Sequence, residues 1–285
     1  MNIILGASGR VGSALVRILS ENGQPVKAIV RNPEKADEFR SKGIPVCIAD
    51  FFNVKALKVA FEGGTTAFLI TPENPESRNI FDETKQIIQN YKDALSASGI
   101  RKIIGLSSGG AQHPSGTGNL ELSYMLEHSF DDLPVQKTFI RPAYYFSNWM
   151  NYWDVAKEYG VLPTFFPIDM KVQMIAPADV AAFTAQLIES DESYKPFYEI
   201  GEKLYSSADV AAVFAYKLQR EVKAQQIPSE QWETTLLQAG FSENAAANLM
   251  KMTQAVIDGR TQWENPSEAI TMPIALETFL QAHSE

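Results

Sequence analysis

Near the start of the chain, Gly6-Ala7-Ser8-Gly9-Arg10-Val11-Gly12 spaces three glycines three residues apart, directly after the apolar run Asn2 to Leu5. A helical apolar period follows, and a glycine turn between strand and helix is a phosphate site. Gly6 permits the tight turn, Gly9 lets backbone amides approach a pyrophosphate with no Cβ in the way, and Gly12 lets the helix lie close on the sheet. The unpaired N–H groups and partial positive charge of the helix N-terminus then favour the anion. The spacing is G-x-x-G-x-x-G, a variant of the G-x-G-x-x-G dinucleotide fingerprint; the alternative is a purely structural turn.

The second apolar run ends Ala28-Ile29-Val30-Arg31-Asn32-Pro33. At this place an acidic residue would bond the ribose hydroxyls of NAD, whereas the guanidinium of Arg31 suits the 2′-phosphate of NADP. Arg10 and Lys35 could add charge from either side, and the alternative for Arg31 is a solvated surface residue. Asp50-Phe51 closes the third run; the Asp50 carboxylate either accepts from an adenine amino group or caps the next turn. His113 lies in a glycine-rich loop and could protonate a reduced substrate, or stand solvated. His128 and His283 read as structural or exposed.

These residues need a scaffold. Asn2 to Leu5, Val26 to Val30, Ile44 to Ala49, Thr66 to Ile70 and Lys102 to Leu106 read as strands, alternating with helices over Val11 to Asn22, Pro33 to Lys42, Val54 to Phe61 and Ile80 to Ser98. Such alternation means right-handed βαβ units on a parallel sheet. Gly23 supplies a left-handed helix stop, and Asn32 and Asn53 are N-caps. Ser107 to Gly118, SSGGAQHPSGTG, breaks the regularity as an active-site-type loop expected to be mobile. Further strands are expected over Val135 to Arg141, Val172 to Ile175 and Phe197 to Ile200, with a helix over Pro177 to Ser190. The aromatic stretch after Pro142 is either core or a platform for flat ligands. From Ser206 the chain is mainly helical, over Ala208 to Leu218, Ser229 to Ala239, Glu243 to Asp258 and Ala275 to His283.

Composition limits the chemistry. The 285 residues carry 25 Lys and Arg against 34 Asp and Glu, a net charge of −9, which argues against a nucleic acid or an anionic membrane as partner. One cysteine, Cys47, sits in an apolar run and reads as a buried thiol. With no apolar run near 18 residues and no leader-like start, a cytoplasmic location is expected. Scattered His and Cys offer no metal spacing, and Ser107 and Ser108 lack the pattern of a nucleophile.

Taken together, Gly6-x-x-Gly9-x-x-Gly12, Val30-Arg31-Asn32-Pro33, Phe139-Ile140-Arg141-Pro142-x-x-x-Phe146-x-x-Asn148 and Pro177-Ala178-Asp179-Val180-Ala181 resemble the NmrA-like family of atypical short-chain dehydrogenases/reductases. The resemblance extends over nearly the whole chain. It implies an α/β fold: a Rossmann-type, doubly wound parallel sheet binding NADP(H), with a smaller, mainly helical C-terminal substrate domain. We divide the chain into residues 1–142 plus 172–200 for the cofactor and 143–171 plus 201–285 for the cap.

By position, the family's cofactor contacts fall on Gly6 to Gly12, Arg31, Asp50, the segment Ile70-Thr71-Pro72, Ser107-Ser108 and Pro142-Ala143-Tyr144-Tyr145. The substrate is expected against Tyr144, Tyr145, Trp149 and the Gly109 to Gly116 loop. Short-chain dehydrogenases usually pair a tyrosine with a lysine four residues on, and none of the ten tyrosines here has one. Tyr124, with His128 at that spacing, is the nearest equivalent; with His113 and Tyr144 it completes the candidate proton donors. Alcohol dehydrogenase chemistry is thereby disfavoured, whereas a quinone takes hydride directly from the cofactor. Two activities follow from the resemblance: an NADPH-dependent reductase of a flat, quinone-like small molecule, and a non-catalytic NADP(H) sensor acting through a partner. A homodimer stands as one candidate assembly.

Overall fold

Asparagine side chains open the early helices. Asn32 Oδ1 accepts from the Glu34 N–H at 2.8 Å, Asn53 Oδ1 from Lys55 and Ala56, and Asn79 Oδ1 from Asp82. The computed structural model describes residues 1–190 and 194–282. Its larger unit runs β1 (Asn2–Ile4), α1 (Arg10–Glu21), β2 (Val26–Val30), α2 (Pro33–Arg40), β3 (Val46–Ile48), α3 (Val54–Phe61), β4 (Thr66–Ile70), α4 (Ile80–Leu95), β5 (Lys102–Leu106), α5 (Leu120–Glu127) and β6 (Gln136–Pro142). There follow β7 (Tyr144–Tyr145), a 3₁₀ segment (Phe146–Tyr152), α6 (Trp153–Tyr159), β8 (Val161–Thr164), β9 (Val172–Ile175), α7 (Pro177–Glu189), β10 (Phe197–Gly201) and β11 (Leu204–Tyr205). The chain ends with α8 (Ser207–Leu218), β12 (Lys223–Gln226), α9 (Trp232–Gln238), α10 (Glu243–Ile257), β13 (Ile270–Thr271) and α11 (Leu276–Ala282).

Eight strands form one parallel sheet in the order β13-β10-β6-β5-β4-β1-β2-β3. The pleat sends Ile4 into a core with Leu15, Leu19 and Val180 of α1 and α7, and Ile3 and Leu5 into a second core with Leu57, Ile87 and Tyr91 of α3 and α4. This is the expected Rossmann-type arrangement of helices on both faces. After β1 the chain winds outward through β2 and β3, then returns to β4 on the other side of β1. The crevice beyond the carboxyl ends of β1 and β4 is therefore the topological switch point, where such sheets bind ligands. A third core, around Phe146, Trp149, Leu162 and Phe214, belongs to the smaller unit built on β7, β9, β11, β8 and β12.

Several features differ from the sequence reading, among them β9, assigned with the cofactor unit but paired with β7 and β11 of the smaller one. Helix α5 was not expected: its N-cap residue Asn119 makes no capping bond, and its buried Leu120, Leu122 and Leu126 do not keep a helical stripe. Strand β12, Lys-Ala-Gln-Gln, has no apolar alternation, yet pairs in parallel with β8. Strand β13 lies in the stretch assigned to the cap but pairs with β10 in the large sheet. Cys47 is only half-buried because β3 is an edge strand, and burial pushes its thiol above the ordinary value. His283 lies outside the described residues. Among the described residues no helix is long and apolar enough to cross a membrane.

Candidate active site

The glycine turn lies at the switch point, between β1 and α1. Gly6 has φ +64° and sits against Ile70: a Cβ there would lie 2.4 Å from Ile70 Cδ1. Gly12 is closed off by backbone, with 2.2 Å from a built Cβ to the Gly6 carbonyl oxygen and 3.0 Å to Ala7 Cα. Gly9 N–H donates to Gly6 O at 2.9 Å and tightens the turn. Unlike α2, α3 and α4, helix α1 begins on glycine with no side-chain cap, which leaves the amides of its first turn to an anion. Ala7 and Val11 are buried beneath the turn, while Ser8, Gly9 and Arg10 are exposed on it.

The three expected cations do not act together. Arg31, exposed at the end of β2, stands over the Phe51 ring at 5.9 Å and makes no ion pair among the described residues. Lys35 is paired with Glu38 at 2.6 Å on its own helix. The Arg10 guanidinium donates to the Ser147 carbonyl at 3.3 Å, bridging the glycine turn to the 3₁₀ segment of the smaller unit.

Of the two readings of the Asp50-Phe51 turn left open by the sequence, the cap has geometry in the structure. Asp50 Oδ1 accepts from Phe52 N–H at 2.9 Å, so one carboxylate oxygen caps the turn. Phe51 is buried edge-on against Tyr91, whose hydroxyl donates to Ile70 O at 3.1 Å, and Asn90 Nδ2 donates to Phe51 O. These bonds fix the turn to the end of β4. Phe52, 49% exposed and overlooked in the sequence, lines a cleft of about 160 Å³ with Arg31, Pro72, Glu73, Ile80 and Ile87. No periodicity marks Phe52; its adjacency to Asp50 was the available signal.

At the other end of the crevice Thr71 and Ser108 are half-buried, and Pro142 and Ala143 are buried. Gly109 N–H donates to Pro142 O at 3.1 Å, bringing the loop after β5 against the end of β6. Ser107 turns its hydroxyl inward to Glu127 Oε1 at 2.5 Å. Glu127 is held by Arg141 at 2.6 and 2.8 Å, with all three side chains buried. Strand alternation on β7 divides the two tyrosines: Tyr145 packs on the core that includes Ala7 and Val11, and Tyr144 on the core of the smaller unit. Burial raises both phenols far above their ordinary value, and a hydrogen bond from Asn148 offsets this in part at Tyr144. The Tyr145 hydroxyl is buried with no hydrogen-bond partner among the described residues. Such a group costs about 1–3 kcal/mol when left unpaired.

Several expected substrate contacts are redirected. Trp149 is 2% exposed and donates from Nε1 to Met174 Sδ, so it belongs to the core and cannot stack a ligand. The loop expected to be mobile is tied down instead: His113 Nε2 lies 3.0 Å from Arg260 O, and Arg260 holds the carbonyls of Ser115 and Gly116. Tyr124 stacks on His128 at 4.0 Å, and His128 Nδ1 bonds the Tyr124 carbonyl, so this pair closes the end of α5. Among the described residues no cluster of His, Cys, Asp and Glu could hold a metal ion.

The arrangement suits a dinucleotide. The cradle excludes side chains where a pyrophosphate would stand, helix α1 begins without a side-chain cap, and Arg31 flanks the adjoining cleft. The sequence pattern of the NmrA-like family matches residues 2–277. An NAD(P)H azoreductase from Xenophilus azovorans is 25% identical over 251 residues, 86% of this chain and 84% of that protein. Quinone oxidoreductase 2 from Escherichia coli is 26% identical over 254 residues, again 86% of this chain and 84% of that protein. The crystal structure of an NADPH-dependent quinone oxidoreductase from Escherichia coli, complexed with NADPH, superposes with a TM-score of 0.82 at 23% identity, covering 100% of both chains.

Proposed function

The chain belongs to the NmrA-like family, and within it we propose an NADPH-dependent oxidoreductase that reduces a quinone-like or other small electrophilic acceptor. The observation that carries this reading is the glycine cradle at the switch point, with Arg31 at the neighbouring strand end. The relatives named as an azoreductase and a quinone oxidoreductase support the same class of acceptor.

In this reading the first-turn amides of α1, Arg10 to Gly12, hold the pyrophosphate, and Gly9 gives it room. Arg31 pairs with the 2′-phosphate, its guanidinium presenting planar donors to the anion. Phe52, Pro72 and Ile80 wall the adenine, while Asp50 keeps one carboxylate oxygen for it. Thr71, Ser108, Pro142 and Ala143 frame the nicotinamide end, where the Tyr145 hydroxyl finds its missing partner. NADPH, when bound, supplies hydride at the nicotinamide C4.

Reduction of a quinone takes that hydride and one proton. Tyr144, raised by burial, stays neutral at physiological pH and can donate a hydrogen bond to the acceptor oxygen without ionising. With no lysine four residues after any tyrosine, the proton comes from water or a weak donor. The test is the fall of NADPH absorbance with a panel of quinones and azo compounds. Turnover supports the reductase; tight NADP(H) binding without turnover on any acceptor overturns it in favour of a sensor.

A further inference from the structure

The segment after α10 is not used by the cofactor reading. Gly259, with φ +73°, ends the helix and turns the chain toward the carboxyl ends of β5 and β10. Its far end is anchored in the sheet. Glu264 and Asn265 donate their N–H groups to Glu199 Oε1 and Oε2 at 2.9 and 3.0 Å, and Glu264 Oε2 accepts from Arg141 Nη1 at 2.7 Å. Glu199 and Arg141 are each 3% exposed, and Arg141 grips Glu127, to which Ser107 donates. In the middle, Trp263 lies 3.4 Å from a Cβ built on Gly109. The near end holds the loop after β5. Arg260 Nη1 donates to Gly116 O at 2.8 Å and Nη2 to Ser115 O at 3.1 Å, His113 donates to Arg260 O, and Gln112 Nε2 donates to Gln262 O at 3.2 Å.

We propose that residues 259–265 are a strap that holds the loop 109–116 in its acceptor-binding shape, with Arg260 as the positioning residue. The proposal rests on that loop forming a wall of the acceptor site. A glycine-rich loop has many conformations to lose, and prior ordering spares an incoming ligand that entropy. Arg260 fits the task because its planar fork reaches two successive carbonyls at once, which a lysine ammonium does not. Gly116 adapts to it: its φ is +77°, and a Cβ there would stand 3.1 Å from Arg260 Nη1. Because the other end is fixed to buried Arg141 and Glu199, loosening Arg260 frees the loop while the sheet keeps the strap.

The experiment compares the wild type with Arg260→Ala and Arg260→Lys. Arg260→Ala is expected to raise the acceptor KM about tenfold, the scale of a single net hydrogen bond, with kcat and the NADPH Kd within about twofold. Amide exchange in 109–116 should quicken by a similar factor, and Arg260→Lys should recover only part of both losses. Unchanged exchange and KM would overturn the proposal, as would a joint loss of NADPH affinity and melting temperature. If Arg260→Ala does not fold, Gln112→Ala reads the same loop through its bond to Gln262 O, with a smaller shift in the same direction expected and no shift refuting the strap. If the wild type reduces no acceptor, the reductase reading fails, and exchange in 109–116 still decides whether the strap holds the loop.

Discussion

Replacing Gly9 by alanine separates the cofactor role of the glycine turn from its structural one. Gly9 has φ −80° and ψ 171°, which any residue adopts, and the nearest atom to a built Cβ is Gly6 O at 3.2 Å. The unfolded chain loses freedom, worth about 0.4–1 kcal/mol in favour of the fold, and the tight contact offsets part of it. Net stability should stay within about 1 kcal/mol, a shift of a few degrees in melting temperature for a chain of this size. In the proposed reading the new methyl group stands where the pyrophosphate approaches the α1 amides. Losing one charge-assisted hydrogen bond there costs about 1.5–3 kcal/mol, so the NADPH Kd should rise about 10- to 150-fold. Calorimetric titration with NADPH and a thermal melt of the same sample measure both quantities. Gly12→Ala is the contrasting variant, because its Cβ meets backbone at 2.2 Å and α1 must move off β1, lowering stability and affinity together. An NADPH Kd within twofold of wild type for Gly9→Ala, at unchanged stability, would refute the assignment of this turn to the pyrophosphate.

Other perturbations test other parts of the site. Arg31→Ala should weaken NADPH at least tenfold and NADH less than twofold, by fluorescence titration, since only NADPH carries the 2′-phosphate; equal losses would refute Arg31 as its partner. Asp179 is buried at the start of α7 and accepts from the Ile274 N–H at 3.0 Å; burial, then Glu202, raises its carboxyl above the ordinary value. The folded state thus binds that proton more readily than the unfolded chain, so the group's stabilisation is fully present in acid and is lost as pH rises through the raised pKa. Asp179→Asn keeps an acceptor without the charge and should equal or exceed wild type in stability at neutral pH, with any advantage shrinking on acidification. Asp179→Ala should cost about 1–3 kcal/mol for the stranded N–H. Denaturant melts across pH decide the matter, and Asn as damaging as Ala at pH 7 would refute it.

Much of the fold was legible because local signals agreed with tertiary demands. Strand β2, helix α3, strand β4 and strand β5 have the limits that apolar runs, asparagine caps and glycine stops imply. Helix α5 and strand β12 were not legible, since one lacks a capping bond and a stripe and the other is polar and held by backbone pairing with β8. In the site, the glycine turn could be read because the spacing of its glycines and its place between a strand and a helix are local signals. The partners of Ser107, Arg10 and His113 could not, because Glu127, Ser147 and Arg260 lie 20, 137 and 147 residues away in sequence.

Sequence alone determined the parallel α/β order, the glycine turn between β1 and α1 and the cation at the end of β2, since each rests on the chemistry of residues adjacent in the chain. Only tertiary structure decided which side chains remain available. It buried Trp149 in the core of the smaller unit, paired Lys35 with Glu38, aimed Arg10 at Ser147 and left Arg31 over Phe51. It also returned β13 to the large sheet and drew residues 259–265 over the loop after β5. Periodicity records which face of an element is apolar, whereas hydrogen bonds between remote segments depend on how those faces pack, and packing is a property of the whole chain.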